Sequence, residues 1–108
     1  MEIPDPIKED VERAGGLDKI LHGIPDATEM DRMSRVFKSL SDPFRLRIIH
    51  LLIVQPLCVC CIKELLDISD SRLSYHLSRL KDSGLIEGKQ EKNWIIYRPT
   101  DLARELLL

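Results

Sequence analysis

At Gly84 the chain changes period. Upstream, apolar residues recur three and four positions apart, as on helices that bury one face. Downstream, Leu85-Ile86-Glu87-Gly88-Lys89 and Trp94-Ile95-Ile96-Tyr97-Arg98 are rich in strand formers and flank a polar tip, Gln90-Glu91-Lys92-Asn93. That pattern predicts a two-stranded hairpin. A lone hairpin is marginal in water, so this one must lean on the helices that precede it.

Those helices are well punctuated. Residues 7–22 carry Ile7, Val11, Leu17, Ile20 and Leu21 at helical spacing, but Gly15-Gly16 breaks the run, and Gly23-Ile24-Pro25 reads as a linker. Asp26-Ala27-Thr28-Glu29 is an acidic cap with Glu three residues on. Met30, Met33, Phe37 and Leu40 then form a narrow seam suited to pairing with another helix. Asp42 and Pro43 start the next helix as cap and first residue, with Leu46, Ile49 and Ile53 as its expected buried face, widened by Leu51 and Leu52. After Gln55-Pro56 a short helix over 59–66 brings Ile62, Leu65 and Leu66. A turn, Asp67-Ile68-Ser69, leads to a helix over 70–83 with Leu73, Leu77 and Leu80 inside, and Gly84 caps it. Thr100-Asp101 caps a last helix, Leu102 to Leu108. Helices, then a hairpin, then a helix make a mainly α chain with the layout of a winged helix-turn-helix. We expect an acidic extension over residues 1–25 and a DNA-binding and dimerisation domain over 26–108.

The chain has 108 residues, room for one compact domain. Its net charge of −2 argues against nucleic acid only until the distribution is read. Residues 1–31 hold nine acids against three bases, a net −6, and the remainder carries +4. On the 70–83 helix the face opposite the leucines presents Ser71, Arg72, Ser74, Tyr75, Ser78 and Arg79, with no carboxylate after Asp70 until the helix ends. Arginine grips guanine edges with two hydrogen bonds, and Ser and Tyr suit phosphates or either base type. Lys89 and Lys92 on the hairpin would add phosphate contacts without sequence information. His76 lies between the two faces, where a hydrogen-bonded, partly buried role is the expectation. An ordinary solvated face is the bland alternative for this helix. Its place after a helix and a short turn, and before a basic-tipped hairpin, favours DNA.

All three cysteines, Cys58, Cys60 and Cys61, fall within four positions. A disulfide framework needs an even count spread along the chain. A cluster at a helix N-terminus, where backbone N–H groups favour anions, supplies thiolates instead. Thiolates select thiophilic ions, so arsenic(III), antimony(III), cadmium, lead and zinc are the candidate ligands. Redox-active thiols and inert packing are the competing readings, and a bond between the adjacent Cys60 and Cys61 would be strained.

With these residues in place the sequence resembles the ArsR/SmtB metalloregulatory repressors over roughly residues 32–100. The resemblance rests on Leu40-Ser41-Asp42-Pro43-Phe44-Arg45-Leu46-Arg47-Ile48, on Leu57-Cys58-Val59-Cys60, and on the run from Ser69 and Ser71 through Leu73-Ser74 and His76-Leu77 to Leu80. Gly84-Leu85-Ile86 and Tyr97-Arg98 complete it. It implies a homodimeric winged-helix repressor that binds double-stranded operator DNA and releases it when a toxic metal or metalloid binds. Cys58 and Cys60 match the family's cysteine box. Where arsenic sensors of the family often place a third cysteine this chain has Lys63, and Cys61 is the substitute. The zinc site that some relatives build on their last helix needs a His that Leu102 to Leu108 lacks.

Dimerisation also follows from the residues. Met30, Met33, Phe37 and Leu40, with Leu102, Leu106 and the terminal leucines, exceed what so small a monomer covers. No apolar stretch approaches the roughly 20 residues of a membrane span, and the N-terminus lacks a secretory pattern. A cytoplasmic protein without a membrane partner is the expectation. His22, His50 and His76 lie on separate elements, with no nucleophile–base pair or phosphate loop, so an enzyme is not expected. Two rivals remain: a thiol-redox-responsive regulator, and a winged-helix module that binds protein.

Overall fold

The computed structural model describes residues 2–108. Contacts divide the chain into two compact units, one ending at Met33 and the other spanning Ser34–Leu108. In the first, α1 (Asp5–Arg13) and α2 (Leu17–Leu21) are separated at Gly15 and Gly16, both at positive φ (96° and 94°). The glycine break expected between them is therefore real. Helix α3 (Ala27–Leu40) crosses from one unit into the other, and its first turn is closed by Asp26 Oδ1, which accepts from Glu29 N at 2.9 Å.

The second unit is built on α4 (Pro43–Val54), α5 (Val59–Leu66) and α6 (Asp70–Asp82), followed by the hairpin and α7 (Asp101–Leu107). Asp42 caps α4 by accepting from Arg45 N at 3.1 Å. Ser69 caps α6 by accepting from Arg72 N. Ile48, Ile49, Leu52, Ile62, Leu73, Leu80 and Leu85 are completely buried, and Leu77, Ile68, Leu66 and Tyr97 close around them. Helix α4 therefore turns Ile48, Ile49 and Leu52 to the centre, while Leu46, Leu51 and Ile53 only flank it. The helix is apolar on nearly every side, so periodicity alone could not choose the innermost stripe. On α5, Ile62 and Leu66 are buried while Leu65 is 56% exposed.

Helix α6 ends in a two-bond cap. Leu85 N reaches Leu80 O at 3.0 Å and Gly84 N reaches Lys81 O at 2.9 Å, with Gly84 at φ 73°. The turn before α6 uses Asp67 at φ 48°, a left-handed residue that lets Ile68 drop into the core.

The sheet has three strands rather than the expected two. Strands β2 (Ile86–Glu91) and β3 (Trp94–Pro99) form the hairpin, and β1 (Leu57–Cys58) adds to the other edge of β3 in the order β1-β3-β2, all antiparallel. A two-residue strand has no period to read in sequence; it forms because the edge of β3 offers unpaired backbone groups. The polar tip is also shorter than expected. Pairing runs to Glu91 opposite Trp94, leaving Lys92, at φ 56°, and Asn93 to turn the chain. Among the described residues, no helix is long and apolar enough to cross a membrane.

Candidate metal centre and nucleic-acid interface

Cys58 is the last residue of β1 and the N-cap of α5, with φ −82° and ψ 166°. Its extended backbone turns the side chain back over the first helical turn, which begins at Val59 and holds Cys60 and Cys61. Cys58 Sγ lies 2.7 Å from Cys60 Sγ and 3.5 Å from Cys61 Sγ. All three sulfurs fall within 4.8 Å of one another. Cys60 and Cys61 are exposed and Cys58 is half-buried, so the cluster is open to solutes.

The cluster favours one thiolate. A hydrogen bond from Cys60, then the backbone N–H of Cys61, pull Cys58 down from 9.0 to about 7. Cys60 and Cys61 are pushed up, first by the hydrogen bond each shares with Cys58 and then by desolvation. Three thiols within one helical turn suit an ion that bonds thiolate at about 2.3 Å, the zinc–sulfur length; such an ion holds its sulfurs roughly 4 Å apart. Lys63, one turn beyond Cys60, has its Nζ 2.8 Å from Asp70 Oδ1 in the first turn of α6. That pair is exposed, so it contributes little to stability.

Every residue expected on the outer face of α6 is exposed: Ser71, Arg72, Ser74, Tyr75, Ser78 and Arg79. The two arginines are not free-swinging. The Arg72 guanidinium lies 4.7 Å from the Phe44 ring centroid, and that of Arg79 lies 5.4 Å from the Tyr75 ring. Sequence reasoning missed Phe44 and Arg45 as supports. Arg45 donates to Ser39 O at 2.6 Å and reaches His76 Nδ1 at 3.2 Å, and Phe44 stacks on the His76 ring at 5.8 Å. Their only signal was position, at the start of the helix packed behind α6. His76 itself is buried and hydrogen-bonded, as expected, and desolvation lowers its pKa.

Lys89 and Lys92 are exposed on the hairpin, although Glu87 and Glu91 share it; Arg98 Nη2 neutralises Glu91 at 3.1 Å. Of the residues expected to pair protomers, Met30, Phe37 and Leu106 are 41%, 50% and 38% exposed. Met33 is half-buried. Leu40 is a correction: it is buried in the protomer's own core. Leu102 packs against that core from its margin.

A three-helix core with a hairpin wing and an exposed helix after a tight turn defines the winged helix-turn-helix class, here with a thiol cluster at its support helix. Residues 42–88 match the model of the bacterial regulatory proteins of the arsR family. The chain is 31% identical over 87 residues to a cadmium resistance transcriptional regulatory protein CadC homolog of Staphylococcus aureus, covering 78% of this chain and 72% of that protein. It is 36% identical over 75 residues to a putative arsenical resistance operon repressor of Halobacterium salinarum, covering 68% of this chain and 58% of that one. The chain thus spans less than two-thirds of that second relative. Its fold is similar to the homodimeric winged helix-turn-helix DNA-binding domain of a possible ArsR-family transcriptional regulator from Mycobacterium bovis. There the TM-score is 0.69 at 32% identity, over 73% of this chain and 75% of that one. The chain belongs to the arsR family of regulatory proteins.

Proposed function

We propose that this chain is a DNA-binding transcriptional repressor that lets go of its operator when Cys58, Cys60 and Cys61 close around a thiophilic ion. The observation that carries this reading is the convergence of three accessible sulfurs at the start of α5, one tight turn before the exposed face of α6. With arsenous acid, three S–H groups exchange for three As–S bonds and three waters leave. With cadmium or lead, the thiols surrender protons to solvent as the metal–sulfur bonds form. Respacing Cys58 Sγ from 2.7 and 3.5 Å to roughly 4 Å from its two partners shifts α5, and Asp67-Ile68-Ser69 passes that shift to α6.

Ser71, Arg72, Ser74, Tyr75, Ser78 and Arg79 would face the major groove, with Lys89 and Lys92 on phosphate. A homodimer would present two such helices to half-sites about one turn of DNA apart. The names of the relatives, cadmium and arsenical resistance regulators, support an ion of that class as the inducer. A coupling of about 1–3 kcal/mol corresponds to a roughly 5- to 150-fold loss of DNA affinity.

The test is a DNA mobility assay with upstream DNA, titrated with arsenite, antimonite, cadmium, lead and zinc. Cys58→Ser/Cys60→Ser should keep operator affinity and abolish release. Normal release by that double variant would remove the sensing assignment. A second reading, thiol-redox switching, is favoured by the 2.7 Å approach of Cys58 to Cys60. It predicts release by oxidant without bound metal, read on a non-reducing gel alongside metal analysis.

A further inference from the structure

Cys58 belongs to two elements at once. It is the N-cap of α5 and also a rung of the sheet, paired with Ile96, as Leu57 is with Tyr97. Ile96 in turn pairs with Lys89 on its other side. Directly paired residues point to the same face of a sheet, so Cys58, Ile96 and Lys89 form one rank across all three strands. The opposite face is the anchored one: Ile86, Tyr97 and Pro99 are buried on it. Beyond that anchor the hairpin from Gly88 to Ile95 is exposed along its whole length.

We infer that the thiol cluster acts on the hairpin wing through β1, not only on α6 through the turn. This inference rests on the sensor reading above and deepens it. Cys60 and Cys61 are fixed to α5, whereas Cys58 is fixed to the edge of β3. An ion bound by all three joins strand to helix across the Cys58–Val59 bond and sets the angle between them. Strand β1 is only two residues long and both are paired to β3, so it has no unpaired length over which that change can relax. Its backbone pairing hands the change to Ile96 and Tyr97. Tyr97 is held in the core, so the exposed end of the wing moves about that anchor. Lys89 and Lys92 travel with it and leave the phosphates they would otherwise contact. The pairing is a backbone property, so it does not depend on the weak exposed ion pair of Lys63 with Asp70.

The chain holds one tryptophan, Trp94, 56% exposed at the start of β3 and two residues from Ile96 on the same face. It is a built-in reporter of the wing. The experiment titrates cadmium chloride into the full chain without DNA, following Trp94 quenching by acrylamide and the thiolate–cadmium ultraviolet band together. The expected result is that both change and saturate at the same cadmium concentration. In parallel, the cadmium release factor (the ratio of DNA Kd with and without cadmium) is measured for three proteins on a duplex selected from a random pool. Lys89→Ala/Lys92→Ala should weaken DNA binding and shrink that ratio at least threefold. Ser78→Ala, on α6, should weaken binding and leave the ratio unchanged. If the band saturates and DNA is released while Trp94 stays silent, or the ratio is equal in all three, the wing inference is overturned and the sensor reading stands. If neither band nor release appears, both fall.

Discussion

Among single residues, Cys58 carries the most distinctive chemistry. Its pKa is held near 7 by donors from Cys60 and from the backbone of Cys61, against 9.0 for an ordinary thiol, while its two neighbours are raised. The sign is that of a depressed acid. Ionising Cys58 favours the folded chain above the unfolded value, and that contribution is lost as pH falls through about 7. The cluster is largely exposed, so reactivity is the better readout. Brief treatment with iodoacetamide near neutral pH should alkylate Cys58 first, with a rate midpoint at about pH 7, as read by peptide mass spectrometry. Equal labelling of all three thiols would show that the hydrogen bonds around Cys58 do not set its ionisation. The three cysteines were visible in sequence, and so was the helix start beneath them. Their convergence depends on the extended backbone of Cys58, which a two-residue strand imposes and no periodicity announces.

Between elements, the joint that decides how α6 is presented is its packing on α4. The helices, most caps and the turn were legible because each has its own chemistry: Asp42 before Pro43, Gly84 after Asp82, Thr100 before Asp101. What lies between helices was less legible, since Phe44, Arg45 and His76 meet only after the chain has folded back across 31 positions. His76 is buried there, accepting at Nδ1 from Arg45, so it must be neutral. Desolvation lowers its pKa first, with Arg45 and Arg72 adding to the effect and Asp42 opposing it. A base whose folded pKa is depressed stabilises the fold above its unfolded value of 6.5 and loses that contribution as pH falls below it. The melting temperature of the wild type should therefore drop on acidification from pH 7 towards 5. His76→Gln, which keeps an acceptor but cannot titrate, should start lower and show a shallower drop. Parallel curves for the two proteins would assign the acid sensitivity to other groups.

For the molecule as a whole, the balance of charge and apolar surface argues for assembly. The first 31 residues carry a net −6 on the same chain as a +4 body, so in the proposed function the body rather than the chain's sum would supply the attraction for DNA. A single helix face with two arginines is a small footprint, and two linked copies multiply it. Linkage of that kind raises affinity by about 100-fold or more without any new contact. Phe37 is the residue to test, because it is 50% exposed on α3 while its neighbour Val36 is buried in the core. In the proposed homodimer a second copy would cover that ring together with Met30 and Leu106, the other exposed apolar residues of the expected pairing surface. Phe37→Asp should retain helical circular dichroism, since no core contact is lost. It should shift sedimentation at micromolar concentration from dimer to monomer and weaken operator binding on the order of 100-fold. A variant that stays dimeric with full affinity would place the pairing surface elsewhere, and Met30 and Leu106 would be the next positions to charge.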